Sequence, residues 1–149
     1  MSIKTTRRIK RTVFLLSALA TAGWAASGMA TGCESGNALK GVNLSGAEFN
    51  GTKLPGTLSK DYIYPNQAEF AYFSSIGMNA VRLPFRWERV QPTLFGELDA
   101  AELKDISYAV SLAKAKGMCI ILDVHNYGAY RGNVIGTEEV PVEAFIDLW

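Results

Sequence analysis

An arginine and three carboxylates in this sequence lie near places where an apolar run gives way to polar residues. Arg82 lies in one such run, and a guanidinium beside a carboxylate keeps that carboxylate ionised and oriented. Glu48, Glu88 and Asp123 are the candidates for acid–base or nucleophilic work, which side chains of this type perform. Glu88 lies between two arginines, so we expect it to hold its loop through ion pairs.

His125 is the only histidine of the chain and directly follows the apolar run 118–124. Asp123 precedes it by two residues, and alternate residues of a strand face the same side. We therefore expect both side chains to point the same way. A zinc site needs several histidine or cysteine ligands close together, and the sequence offers neither a second histidine nor a cysteine cluster. No metal site and no cofactor is predicted.

The elements that must position these side chains alternate between strand and helix. Short apolar segments predict three strands, at 39–44, 80–83 and 118–124, the second of them ended by Pro84. Long polar loops are predicted to follow the strands, at 45–64, 85–98 and 125–139.

Helical spacing of apolar residues predicts the intervening helices. The first covers 66–76, with Phe70, Ala71, Phe73 and Ile76 on its buried face. Asp99 opens the second, Glu102 is expected to complete a capping box, and the third begins near Pro141. The core stripe of the second helix is predicted to comprise Leu103, Ile106, Ala109, Val110 and Ala113.

Strand–helix alternation predicts an α/β fold with a parallel sheet. An open nucleotide-binding sheet would need a tight glycine-rich turn after the first strand, and the long loop there lacks that spacing. The long loops after the strands favour a (β/α)8 barrel, in which such loops form the active site. About three strand–helix units are predicted where a barrel needs eight, so we expect residues 39–149 to be its truncated N-terminal part.

The charge of the chain is divided unevenly. Residues 1–32 contain five basic and no acidic side chains. Their basic stretch, Lys4 to Arg11, precedes an apolar run, Val13 to Ala26, which is typical of a secretory signal peptide; an uncut signal anchor is the alternative. The remainder has 10 basic against 14 acidic residues, or about −4. No basic stripe is present, so nucleic-acid binding is not expected.

The two cysteines allow different interpretations. Cys119 lies in an apolar run and is predicted to be a buried core thiol. Cys33 follows the signal region and begins a short linker, 33–38, within a sequence that resembles a lipoprotein cleavage box. Lipid attachment at Cys33 therefore stays open, and with it a surface-anchored lipoprotein as well as a secreted or periplasmic protein.

Three sequence blocks, in order, resemble family-five glycoside hydrolases, and within them the endo-β-1,4-glucanases. The blocks are GVNLSGAEF at 41–49, NAVRLPFRWERVQP at 79–92 and ILDVHNYG at 121–128. The resemblance implies a retaining hydrolase of β-1,4-glucan that works as a monomer without a cofactor. It covers essentially everything from Leu39 onward.

The resemblance also implies individual roles. Arg82 would hydrogen-bond the nucleophilic glutamate, and His125 would line the sugar cleft. Sugar contacts are further expected from a group of polar and aromatic side chains, namely Asn126, Tyr127, Trp87, Tyr130 and Glu48. The two catalytic glutamates of the family come from the fourth and seventh strands, which the sequence does not contain, so we expect the 149 residues alone to be inactive.

Three alternatives remain beside the glucanase. The same mechanism could act on mannan or xyloglucan, since specificity loops would lie in later strands. A decayed barrel could bind carbohydrate without hydrolysing it, and a lipid-anchored structural lipoprotein would leave the three blocks unexplained.

Overall fold

A computed structural model of the protein describes Cys33, Gly36 and residues 38–149. The predicted signal peptide and most of the linker lie outside the described residues. The strands are β1 (Gly41–Asn43), β2 (Ala80–Phe85), β3 (Cys119–Val124), β4 (Ala129–Tyr130) and β5 (Asn133–Val134). The helices are α1 (Gln67–Ser75), α2 (Trp87–Val90), α3 (Ala100–Ala115) and α4 (Val142–Asp147).

A parallel three-stranded sheet in the order β1-β2-β3 forms the centre of the fold. The predicted α/β class and its parallel sheet are therefore confirmed. β2 continues past its predicted end, because the Phe85 carbonyl accepts a hydrogen bond of 2.9 Å from the backbone N–H of His125. Pro84 lacks only its own donor, so pairing resumes after it.

Helices α1 and α3 cover one face of the sheet. Val81 and Leu83 of β2 are fully buried there against Phe70 of α1 and Ala109 of α3. Fully burying a side chain of this size stabilises a fold by roughly 1.5–3 kcal/mol. Ile76 and Leu103, both predicted core residues, are 53% and 37% exposed, so the structure corrects these two positions.

A second apolar cluster lies beneath the loops that follow β2 and β3. Trp87 of α2 packs edge-on against Tyr130 of β4 and Phe145 of α4, with ring centroids 4.8 and 5.5 Å apart. Helix α2 and the β4–β5 hairpin were not predicted from the sequence. Both lie within segments predicted to be loops.

Helix α3 begins as predicted, but its cap differs in one respect. The Asp99 carboxylate accepts hydrogen bonds from the N–H groups of Ala101 and Glu102, at 2.9 and 3.0 Å. Glu102 does not complete a capping box, which corrects the prediction. Its buried carboxylate instead accepts hydrogen bonds from the hydroxyls of Tyr62 and Tyr64.

Cys33 and Cys119 form a disulfide, which corrects the predicted free thiol at Cys119. Cys119 is buried, as expected, but it is not a free thiol. The Cys33 sulfur is bonded to Cys119 and therefore cannot carry a lipid in this state. The bond ties the residues before β1 to the start of β3.

Within the described residues, the structure contains no helix of the length and apolarity that crossing a bilayer requires.

Candidate active site

Three polar side chains meet at the carboxyl end of β2 and β3, and we call Arg82, Asp123 and His125 the open network. Arg82 Nη2 lies 2.5 Å from Asp123 Oδ2, and His125 Nδ1 lies 2.9 Å from the same oxygen. Arg82 Nη2 is also 3.1 Å from His125 Nδ1. The three groups therefore form a closed triangle around one carboxylate oxygen.

The register of the sheet explains why these residues meet. Arg82 pairs with Asn43 of β1 on one side, and Pro84 pairs with Asp123 on the other. Alternate residues of neighbouring strands share a face, so Asn43, Arg82 and Asp123 point to the side away from the helices. Asn43 Oδ1 accepts from Arg82 Nη1 at 2.8 Å and holds the guanidinium from its other end.

The open network is only partly covered. The side chains of Arg82, Asp123 and His125 are 38%, 27% and 28% exposed. His125 Nε2 lies 3.2 Å from the hydroxyl of Tyr127, whose side chain projects almost entirely into solvent. The structure thus brings together three residues that the sequence analysis named for the site. Asp123 and His125 face the same way, as their spacing of two predicts, whereas their contact with Arg82 was not predicted.

A second group of polar side chains lies beside the open network but inside the protein; we call Trp87, Glu88, Gln91, Asn126 and Tyr130 the buried network. Asn126 Oδ1 accepts from the Trp87 backbone N–H at 2.9 Å, and Asn126 Nδ2 donates to Glu88 at 2.8 Å. The Trp87 indole donates to the Gln91 side chain, and the Tyr130 hydroxyl donates to the Gln91 carbonyl. All five side chains are at least nine-tenths buried.

Several of the predicted sugar contacts are buried in the structure. Asn126, Trp87 and Tyr130 belong to the buried network, where their polar atoms are already bonded to protein groups, although Asn126 also lines a cavity. Glu48 is nearly buried as well, and its carboxylate accepts from the Gly46 N–H at 2.7 Å. Of the predicted sugar contacts, Tyr127 alone is exposed.

The expected ion pairs of Glu88 are not formed. Its carboxylate accepts hydrogen bonds from Asn126 and from the backbone N–H of Arg131. Arg89 instead donates to the carbonyls of Ala47, Phe49 and Pro55, each within 2.8 Å. Arg89 therefore holds the loop after β1 through hydrogen bonds to main-chain carbonyls.

A cavity of about 520 Å³ opens next to the buried network. Arg86 and Arg131 line it together with Gly51, Glu88 and Gly132. The Arg86 Nε donates to the Glu48 carbonyl, and its guanidinium lies 5.9 Å from the centre of the Tyr127 ring. In the described part of the chain, no cluster of three or more His, Cys, Asp or Glu side chains could hold a metal ion.

Comparison with known proteins matches this architecture to one family. Residues 42–149 match the family model described as cellulase, glycosyl hydrolase family 5. A protein named probable endo-beta-1,4-glucanase B from Aspergillus oryzae is 38% identical over 98 residues, which are 65% of this chain and 29% of that protein.

Two solved structures are similar in sequence and in shape. The endo-beta-1,4-glucanase Xac0029 from Xanthomonas axonopodis pv. citri is 54% identical with a TM-score of 0.72, covering 73% of this chain and 34% of that one. Endoglucanase Cel5A of Pseudomonas stutzeri, solved with cellobiose, is 40% identical with a TM-score of 0.73, covering 74% of this chain and 34% of that one. The chain spans about a third of the length of these relatives. Since the family model matches most of its residues, this chain belongs to the cellulase family, glycosyl hydrolase family 5.

Proposed function

We propose that β1, β2 and β3 are the first three strands of a (β/α)8 barrel whose other strands lie in a longer parent protein. Among residues 38–149 no strand pairs with the outer edge of β1 or of β3. Ile121 of β3 is 47% exposed on the face away from the helices. A closed barrel pairs such edges and fills that face with side chains, and the greater length of the relatives supports this arrangement.

The parent would be a retaining endo-β-1,4-glucanase that needs no cofactor. The observation that carries this proposal is the open network at the carboxyl end of β2 and β3, where barrel enzymes build their active sites. A half-exposed guanidinium there would keep a nucleophilic carboxylate ionised and oriented. The names of the relatives support β-1,4-glucan as the substrate.

The two catalytic carboxylates would come from other strands of the parent. Retention of configuration requires a pair roughly 5–5.5 Å apart, one of them free to attack the sugar. Glu48 and Glu88 are buried and bonded, and Asp123 is held by Arg82 and His125. No such pair is therefore available among the described residues, and residues 1–149 alone would not hydrolyse the glucan.

The test is to assay the full-length parent and its Arg82→Ala variant on carboxymethylcellulose, mannan and xyloglucan. We expect hydrolysis of the cellulose derivative, with the β-anomer as the first product by NMR. Losing the guanidinium should lower kcat by roughly 10²–10³-fold, as removal of one preorganised donor does. Lys104→Ala removes an exposed cation from α3 and should leave kcat unchanged.

The outcomes separate the alternatives. Preference for mannan or xyloglucan would keep the mechanism and change the substrate. Binding without hydrolysis by the parent would replace the enzyme with a carbohydrate-binding protein. Inversion of the anomer, or an active Arg82→Ala variant, would contradict the proposed role of the open network.

We further propose that the protein is exported to an oxidising compartment, secreted or periplasmic, without a lipid at Cys33. The signal-like residues 1–32 and the Cys33–Cys119 disulfide support this, because such bonds persist mainly outside the reducing cytosol. Mass spectrometry of the non-reduced parent from its native host should find a peptide pair joined through these cysteines. A Cys33 peptide carrying fatty acid would contradict the proposal.

A further inference from the structure

We propose that Asp123 is a positioning residue that fixes His125 in its Nδ1–H tautomer. The imidazole would then present the unprotonated Nε2 to the open side of the sheet. This inference rests on the proposed function, since it assigns the polarity with which His125 meets the glucan.

For a neutral imidazole, the triangle of the open network allows two arrangements of hydrogen atoms. A guanidinium only donates, so the contact of 3.1 Å between Arg82 Nη2 and His125 Nδ1 is a hydrogen bond only when Nδ1 is unprotonated. An ionised carboxylate only accepts, so the contact of 2.9 Å between Asp123 Oδ2 and His125 Nδ1 is a hydrogen bond only when Nδ1 carries a proton. The two contacts exclude one another.

Geometry and charge select the bond to Asp123. Its carboxylate is the nearer partner of Nδ1, and an unprotonated Nδ1 would place its lone pair against an anionic oxygen at 2.9 Å, where no hydrogen bond can form. Arg82 meanwhile donates through Nη2 to Asp123 and through Nη1 to Asn43. The guanidinium is therefore already held at both ends without a bond to His125.

The consequence appears at the other ring nitrogen. With Nδ1 protonated, Nε2 is an acceptor, and the hydroxyl of Tyr127 at 3.2 Å can donate to it. Tyr127 is 83% exposed, so a sugar hydroxyl can compete for the same lone pair. If Asp123 were removed, Arg82 could donate to Nδ1, and Nε2 would become a donor to which the Tyr127 hydroxyl or a sugar hydroxyl would have to accept.

Stability alone does not account for this arrangement. All three side chains of the open network are more than a quarter exposed. Ion pairs with such exposure contribute a median of only about 0–1 kcal/mol to folding. Removal of Asp123 should therefore change the tautomer and the kinetics far more than the melting temperature.

The experiment uses the full-length parent labelled with 15N-histidine, in which His125→Gln identifies the His125 resonances. Wild type should show the shift pattern of a protonated Nδ1. Asp123→Ala should show a protonated Nε2, with kcat lowered roughly 10²-fold, the loss expected from a misplaced group, and with KM little changed. Asp123→Leu conserves the volume and gives the same reading if the alanine variant does not fold.

Matched variants complete the test. Asp123→Asn keeps an oxygen acceptor and should recover part of both the tautomer and kcat. Asp105→Ala removes an aspartate of α3 and should change neither. A folded Asp123→Ala or Asp123→Leu variant that retains the Nδ1–H pattern overturns the inference, even in an active glucanase. An inactive wild-type parent would instead overturn the proposed function. The 15N shifts would still report the His125 tautomer, because they do not depend on activity.

Discussion

The open network and the buried network are neighbours built from similar groups. They differ in whether the surrounding protein leaves any of their hydrogen-bonding groups free. Each contains a carboxylate, a nitrogen-bearing side chain next to it and a nearby aromatic ring. His125 and Asn126 are consecutive residues that belong to different networks. His125 faces the open side, whereas Asn126 turns inward to Trp87 and Glu88.

The difference lies in how many bonding groups remain free. Asn126 bonds to Trp87, to Glu88 and to the Ala129 carbonyl, so its amide is fully occupied. No buried side-chain nitrogen or oxygen in the described part of the chain lacks a hydrogen-bond partner. In the open network, His125 Nε2 has only a solvent-facing tyrosine beside it. A polar residue near a strand end is thus available for function only when its neighbours leave a bonding group exposed.

The largest expected effect breaks the buried network at its centre. Trp87→Ala removes a fully buried ring that contacts Tyr130 and Phe145. Large-to-small changes of this kind cost about 3–5 kcal/mol of unfolding free energy. Chemical denaturation of the full-length parent measures this loss. His125→Ala is the comparison and should cost about 1 kcal/mol or less, because its side chain is partly exposed.

A smaller loss of stability is expected for Asn126→Ala, and almost none for the same change at the next residue, Tyr127. Asn126→Ala leaves the Trp87 N–H and one Glu88 oxygen buried without their partner. Such orphaned groups cost about 1–3 kcal/mol each, and we expect a combined loss of about 2–4 kcal/mol. Tyr127→Ala changes an exposed side chain and should stay within about 0.5 kcal/mol. Equal losses for both variants in thermal melts would contradict the division between the networks.

The sequence predicts those parts of the fold that depend on local patterns. The three strands, the helix capped by Asp99 and the start of α4 near Pro141 follow from apolar periodicity and capping chemistry, which act within a few residues. The open network was predicted in part: the spacing of Asp123 and His125 indicates that they face the same way, but their contact with Arg82 depends on strand register.

Other features depend on contacts between distant segments. Trp87 and Tyr130 lie in predicted loops, where an aromatic side chain either contacts sugar or packs the loop; α2 and the β4–β5 hairpin turn both rings inward, which favours packing. Glu88 was assigned to neighbouring arginines, whereas its partners lie 38 and 43 residues away. The disulfide joins cysteines 86 residues apart, a separation at which sequence pattern carries no pairing signal.

The smallest expected effect is a pH dependence of the unfolding free energy that arises from two tyrosines, Tyr62 and Tyr64. Burial, together with the charge of Glu102 and its hydrogen bond, raises the pKa of Tyr64 above its ordinary value of 10.0. Burial also raises the pKa of Tyr62, aided by the hydrogen bond to Glu102. A raised pKa means that the folded state retains these protons when the unfolded state has lost them. Their contribution to stability is therefore complete below pH 10 and declines as the pH rises above it.

Denaturation of the parent between pH 9 and 11 should show an unfolding free energy that falls by roughly 1–2 kcal/mol above pH 10 because of this pair. The double variant Tyr62→Phe with Tyr64→Phe will be less stable at neutral pH, because Glu102 loses both donors, but its slope above pH 10 should be shallower. Tyr72→Phe alters an exposed tyrosine and should leave the slope unchanged. If the unfolding free energy of the double variant falls with pH as steeply as that of wild type, groups other than Tyr62 and Tyr64 cause the loss of stability. The two tyrosines would then not set the interior apart from the open network.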